Sequence, residues 1–251
     1  MMLMYGSTIF TIRIGSEHIR DPRLWHAPWL FADRYASMAG LATSGTLTRW
    51  FADQLARDLT PEAAMAALAA EAQASPPGAG GLIFLPYFSG ERTPIHDPNA
   101  KGAIVGLTLA HTRADVYRAA LEGIAFATKH IFDTCAEAGA QPSGIVAVGG
   151  GLRNRIWTQA TSDISGLRQE VREVSIGASY GDAFLARLAV GDVSKAAIKQ
   201  WNPAAFTIEP DPRNARVYER GYTIFRKLYP RIRDLMEELG AGSETEMSST
   251  D

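Results

Sequence analysis

Apolar and polar positions divide the chain into strands and helices. Residues 7–14 read as a strand that begins almost at the N-terminus, whereas residues 15–45 show no period and gather Trp25, His26 and Trp29 in turns. Residues 46–57 carry Leu47, Trp50, Phe51 and Leu55 at helical spacing, and 61–74 form a second helix with Pro61 in its first turn. A Pro/Gly loop over 75–81 leads to a buried strand over 82–88 and a polar loop over 89–106. Thr112 and Asp115 make a capping-box start for a helix reaching Glu137, apolar nearly all round and so expected at the centre of the fold. A short β-branched run, Ile145 to Val148, stops at three glycines, and a helical pattern opens near Asn154. A strand over 169–174, a small-residue helix over 176–190 suited to close packing, a short helix over 192–199 and an extended stretch over 206–212 follow. An amphipathic helix over 214–239, interrupted or kinked near Pro230, precedes an acidic tail at 243–251 expected to be disordered. No segment is linker-like enough to split the chain, so the pattern predicts one α/β domain over 1–240 with a tail at 241–251.

Composition narrows the function classes. The chain has 251 residues, 46% of them hydrophobic, and a net charge of −2, which leaves no footprint for nucleic acid or an anionic membrane. No apolar run approaches a membrane span, and Met1–Tyr5 lacks the basic flank of a signal peptide. One cysteine, Cys135, excludes an internal disulfide and reads as a buried, inert thiol; a reducing cytoplasm is the expected home. A chain that opens inside an apolar strand is expected to belong to something longer.

The candidate chemistry lies in glycine turns. Strand, glycine turn and helix, as at Gly149, Gly150, Gly151 and Asn154, let bare backbone approach a nucleotide; the same arrangement also serves as a ligand-free connection. Gly6, Ser7 and Thr8 can present N–H and O–H donors to phosphate, or simply begin a strand. The loop 89–97 gathers Glu91, Arg92, His96 and Asp97, read as an ion-pair network ahead of a catalytic cluster. His96, His111 and His130 lack metal-ligand spacing, and there is neither a Walker element nor a Ser–His–acid signature. The turn at 149–151 departs from Gly-x-Gly-x-x-Gly, which disfavours a dinucleotide oxidoreductase.

Longer motifs carry a resemblance. Gly102-Ala-Ile-Val-Gly106, the seven residues after Leu107 and Asp115-Val-Tyr-Arg-Ala-Ala-Leu-Glu122, with Leu85-Pro-Tyr-Phe-Ser-Gly-Glu-Arg-Thr-Pro94, Val148-Gly-Gly-Gly-Leu-Arg-Asn154 and Ile176-Gly-Ala-Ser-Tyr-Gly-Asp-Ala183, resemble the C-terminal half of the FGGY carbohydrate kinases, in the xylulokinase-like branch. The resemblance implies an actin-like ATPase, ribonuclease H-like fold with a mixed sheet flanked by helices, ATP and Mg²⁺ as cofactors, and a sugar substrate of pentulose or polyol type. By motif matching Ser7 stands at a terminal-phosphate contact, Gly45 at a nucleotide-contacting glycine, Gly151 and Asn154 on the adenine side, Arg49 where the family has a nucleotide-contacting glutamine, and Phe10 near a substrate-facing aromatic. The family's catalytic aspartate and sugar-reading lobe are expected upstream of Met1, so no catalytic residue is assigned and the isolated chain is expected to be inactive. A non-catalytic nucleotide- or partner-binding module derived from such a kinase is the alternative.

Two expectations follow. A branched Cβ at Gly151 is expected to fill the adenosine space without disturbing the fold. A face left bare near 6–14 and 177–186 is expected to drive symmetric dimerisation.

Overall fold

The computed structural model describes residues 1–175 and 178–248. The chain opens with a hairpin in place of one strand. β1 (Met2–Tyr5) and β2 (Ile9–Gly15) run antiparallel, with Tyr5 opposite Ile9, and Gly6, Ser7 and Thr8 make the turn between them. All four residues of β1 are apolar or aromatic, so no alternation announces it. The stretch 15–45 is not irregular throughout: it holds β3 (Trp25–Pro28) and β4 (Tyr35–Gly40). β4 reads Tyr-Ala-Ser-Met-Ala-Gly, poor in strand formers, and owes its state to six register pairs with β2.

Two helices follow, α1 (Gly45–Leu55), which buries Leu47 and Phe51, and α2 (Pro61–Ala72), whose first turn is capped by the Thr60 hydroxyl accepting from the Ala63 N–H. The strand expected over 82–88 ends at Leu85, before Pro86, as β5 (Ile83–Leu85). Its partner β6 (Ala103–Val105) lies inside the expected loop, and the two form a separate antiparallel pair. α3 (Arg113–Glu137) begins with the expected capping box, the Asp115 carboxylate accepting from the Thr112 N–H at 2.8 Å. Its Tyr117, Leu121, Ile124, Ile131 and Phe132 are all buried. The Cys135 thiol is buried with them and pushed up to about 11 by desolvation, as an inert cysteine should be.

The C-terminal half adds β7 (Ile145–Val148), α4 (Arg155–Ser165), β8 (Gln169–Arg172), α5 (Ser179–Ala189), α6 (Ile198–Trp201), β9 (Ala204–Ile208) and α7 (Ala215–Ser248). Ile176 and Gly177, read as the start of the small-residue helix, lie outside the described residues. In α5 only Phe184 is buried; Gly181, Ala183 and Ala186 are exposed, so the small residues do not serve a tight packing seam. α7 passes through Pro230 as one helix and includes residues 243–248, where disorder was expected; residues 249–251 of that tail lie outside the described residues.

The main sheet has the order β3-β4-β2-β1-β7-β8-β9. β1, β7 and β8 are parallel and the remaining pairs antiparallel, so the sheet is mixed, as the α/β expectation required. Paired on both sides, β2 is no edge, which corrects the expectation of an open edge near 6–14. One sheet face, with Leu3, Tyr5, Ile9 and Ala147 fully buried, lies under the layer of α1 to α4. The parallel pair β1–β7 brings Tyr5 and Val148 to the same end of the sheet, so the turns that leave them, 6–8 and 149–154, are neighbours. Outside the carboxyl ends of parallel strands is where open α/β sheets hold ligands.

Candidate functional site

Three backbone segments meet at that end. The Gly6–Thr8 turn is stapled to the start of α1: Gly45 N–H donates to the Gly6 carbonyl at 3.0 Å, Ser44 N–H and Thr46 N–H to the Ser7 carbonyl at 3.1 and 3.2 Å, and the Ser44 hydroxyl to the Gly6 carbonyl at 3.1 Å. A Cβ on Gly45 would collide with the Gly6 carbonyl oxygen, so the position requires glycine. These N–H groups are spent on the turn, and the first turn of α1 is therefore not a free anion cradle.

The third segment is the glycine turn after β7. Gly149 sits at φ +105°, and a Cβ there would lie 2.5 Å from the Tyr5 carbonyl oxygen. Gly151 faces the core: a Cβ would stand 2.6 Å from the Trp157 ring and 2.8 Å from the Tyr5 Cβ. Those two side chains pack edge to face, centroids 5.0 Å apart, and the Tyr5 hydroxyl donates to Gln169 Oε1 at 2.6 Å. The expectation that a branched residue at Gly151 spares the fold is thus reversed. Gly150 faces open space, with no atom within 4 Å of an added Cβ. Asn154 caps α4, its Oδ1 accepting from the Trp157 N–H at 3.2 Å, while its Nδ2 donates to the Tyr117 hydroxyl at 3.4 Å.

The three segments and α2 border an open cavity of about 780 Å³. Of the residues expected from sequence, Gly6, Ser7, Gly45, Gly150, Gly151 and Asn154 line it. Thr8, in the turn, does not line it, and Gly149 borders an adjoining cavity of about 500 Å³ on the Met2/Met4 face of the sheet. Arg49 points away and pairs with Asp53 one turn on, at 2.9 Å. Phe10 stacks on Trp25 at 6.3 Å, on a strand position opposite Gly40 and outside the cavity. Tyr5, Thr48, Met65, Ala66, Ala69, Arg153 and Trp157 complete the wall. It combines an apolar side (Met65, Ala66, Ala69, Trp157) with hydroxyls (Ser7, Thr48), an amide (Asn154) and one cation (Arg153). The buried Trp157 indole N–H has no partner. Such a wall suits a flat apolar ring joined to an anionic group.

The sequence matches the model of the FGGY family of carbohydrate kinases, C-terminal domain, over residues 1–190. The chain belongs to this family. It is similar to a xylulose kinase of Klebsiella pneumoniae, 35% identical over 205 residues, covering 81% of this chain and 41% of that protein. A glycerol kinase of Oleidesulfovibrio alaskensis is 35% identical over 197 residues, covering 74% and 38%. Among solved structures, a xylulose kinase from Rhodospirillum rubrum matches with TM-score 0.86 and 32% identity over 94% of this chain and 48% of that one. The chain thus spans less than half the length of these FGGY relatives, and its fold is theirs, the actin-like, ribonuclease H-like architecture.

The wall residues that sequence reasoning missed left only faint signals: Met65, Ala66 and Ala69 share one face of α2, and Thr48 follows Gly45 by one turn on α1. The loop 89–97 differs from expectation. Among the described residues no ion pair joins Glu91, Arg92 and Asp97. Glu91 and Asp97 bond through their backbones, N–H to carbonyl in both directions at 2.8 and 3.0 Å, and Asp97 Oδ2 accepts from the Tyr229 hydroxyl at 2.5 Å. The Glu91 carboxylate is instead buried, turned toward the backbone of Ala42.

Proposed function

We propose that the 780 Å³ cavity holds ATP or ADP, and that the chain is the nucleotide-binding half of a kinase that phosphorylates a hydroxyl of a pentulose, such as xylulose, or a related polyol. The observation that carries this reading is the convergence of the Gly6–Ser7 turn, Gly45 and Gly150 on one cavity of nucleotide size with a mixed apolar and polar wall. Gly150 leaves space that any side chain would fill, and Gly45 lets α1 press against the turn. Trp157 and the small face of α2 would bound the base; Ser7, Thr48, Asn154 and Arg153 would orient the ribose and phosphates. When bound, ATP supplies the phosphoryl group.

Accepting the sugar proton needs a base, typically worth about 10²–10⁴ in rate. Among the described residues no aspartate, glutamate or histidine lines the cavity, and in this reading the base is supplied from outside that wall. Mg²⁺ belongs with the nucleotide phosphates in this reading. A second reading is a nucleotide-binding module without transfer chemistry, resting on the same cavity. A cytoplasmic site and self-association as a homodimer are further parts of the proposal; no helix among the described residues is long and apolar enough to cross a membrane.

Titration calorimetry of the chain with ADP and with NAD tests the reading. Heat with ADP and none with NAD is expected, and no heat with ADP at roughly millimolar concentration would overturn it. A coupled assay with MgATP and D-xylulose should show no turnover by the chain alone. Turnover would show that a base is present and remove the second reading. Light scattering that shows a stable monomer at high concentration would overturn the homodimer.

A further inference from the structure

Glu91 is 4% exposed and lies beneath the connection between β4 and α1. Its Oε1 accepts from the backbone N–H of Ala42 at 2.9 Å and of Arg92 at 2.6 Å. Its Oε2 is buried without a partner, and so are the hydroxyls of Thr43 and Thr93. These three oxygens belong to two segments that are tied together by the Ala42–Glu91 bond and by the Thr93 N–H donating to the Gly40 carbonyl at 3.2 Å. Burial pushes the Glu91 carboxyl up to about 7, against the pull of the two N–H bonds. A carboxylate in such a place burdens the fold, so a role outside packing is needed to account for it.

The connection it holds is short and fastened at both ends. At one end Leu41 N–H donates to the Ile9 carbonyl at 3.1 Å. At the other, Ser44, Gly45 and Thr46 hold the carbonyls of Gly6 and Ser7, which line the cavity with Gly45 and Thr48. Ala42 lies between these fastenings, so a shift there passes to Gly45 and the turn.

We propose that Glu91 is a positioning residue: by accepting the Ala42 N–H it sets where the β4–α1 connection places Gly45 and the Gly6–Ser7 turn in the cavity wall. This rests on the nucleotide reading only for its effect on affinity. The charged and titratable groups facing Glu91 are Arg92 of its own loop and the buried Tyr87 after β5; Tyr87 in turn faces Tyr222, Arg226 and Tyr229 of α7. Burial raises Glu91's value despite the two N–H bonds, so the ionised form favours any opening that hydrates it, and the hold on Ala42 loosens as pH rises through Glu91's titration. Glutamine keeps an acceptor oxygen without titrating, and alanine removes it.

The test compares wild type, Glu91→Gln and Glu91→Ala by amide hydrogen exchange without nucleotide, as protection factors at residues 42–46. From about pH 6 to about pH 8, protection should fall in wild type and stay level in Glu91→Gln. Glu91→Ala should lose roughly tenfold or more at 42–46 while α3 and α7 keep theirs. Unchanged protection at 42–46 in Glu91→Ala, or identical pH profiles for wild type and Glu91→Gln, would overturn the proposal; the second comparison stands even if the alanine variant does not fold. ADP affinity is then measured on the same proteins. The ratio of wild type to Glu91→Gln affinity should fall across the same pH range, a comparison in which ADP's own titration cancels, and a flat ratio would count against the proposal. Should wild type bind no ADP, the nucleotide reading fails and the exchange data alone decide on Glu91.

Discussion

Gly150 and Gly151 are adjacent in sequence and opposed in what a side chain there would meet, so substituting each separates the cavity from the core. A Cβ on Gly150 has no atom within 4 Å, and its φ lies outside the left-handed region. Gly150→Val should therefore fold normally, with a stability change within about 0.5 kcal/mol, because a modest local propensity cost is offset by a less flexible unfolded chain. Gly150 lines the 780 Å³ cavity where it meets the 500 Å³ one, so the added methyl groups would narrow that shared wall, and ADP affinity should fall by at least roughly tenfold. A Cβ on Gly151 would stand 2.6 Å from the Trp157 ring and 2.8 Å from the Tyr5 Cβ, where ordinary contact begins near about 3.5 Å. Overpacking of this kind costs about 1–3 kcal/mol, which in a domain of this size lowers the melting temperature by roughly 2–10 °C. Circular dichroism melts and ADP calorimetry on Gly150→Val and Gly151→Ala provide the comparison. A folded Gly150→Val with unchanged ADP affinity, or a Gly151→Ala as stable as wild type, would refute the reasoning.

Other consequences are as direct. Tyr5→Phe removes the donor to Gln169 Oε1 and should cost about 1–2 kcal/mol in urea unfolding, so an unshifted midpoint would contradict the assigned bond. Cys135, with its thiol pushed up to about 11, should resist a thiol reagent in the native state and react once the chain is denatured; rapid native labelling would show the core to be open. Glu91 has a folded-state value raised from 4.5 to about 7, so the folded chain binds the extra proton between these values and loses stability as pH rises through that window. Relative to Glu91→Gln, wild type should lose up to about 3 kcal/mol from pH 4.5 to 7, and parallel stability curves for the two would refute the burial of an ionisable group there.

Helices with strong local signals were legible in the sequence. α3 has its capping box at Thr112 and Asp115 and an apolar surface all round, and α4 has Asn154 as its cap. Strands were legible where β-branched residues run together, as in β7, and illegible where pairing alone decides, as in β4 and β1. The cavity was half legible. Glycines mark where backbones approach, which is why Gly6 and Gly150 emerge, while Gly45 came from the family resemblance; the direction in which each glycine faces depends on neighbours distant in sequence. Gly151 was misread for that reason, since Tyr5 is 146 positions away in the chain and Trp157 closes over it only once α4 has docked. Arg49 illustrates the converse: motif matching to the family sets it at a nucleotide contact, whereas Asp53 four residues on pairs with it on the exposed side of α1. Glu91 was read as part of an ion-pair cluster because charge is visible in sequence and burial is not.

The central claim is that nucleotide occupies the space between the Gly6–Ser7 turn, Gly45 and Gly150. An ADP titration followed by backbone amide NMR tests it most directly. Saturable shifts at Gly6, Ser7, Gly45, Thr48, Gly150 and Asn154, absent in Gly150→Val, are the predicted result. Shifts centred on the separate cavity of about 360 Å³ between α4 and α7, at Arg118, Gln159 and Asn214, or none at all, would contradict it.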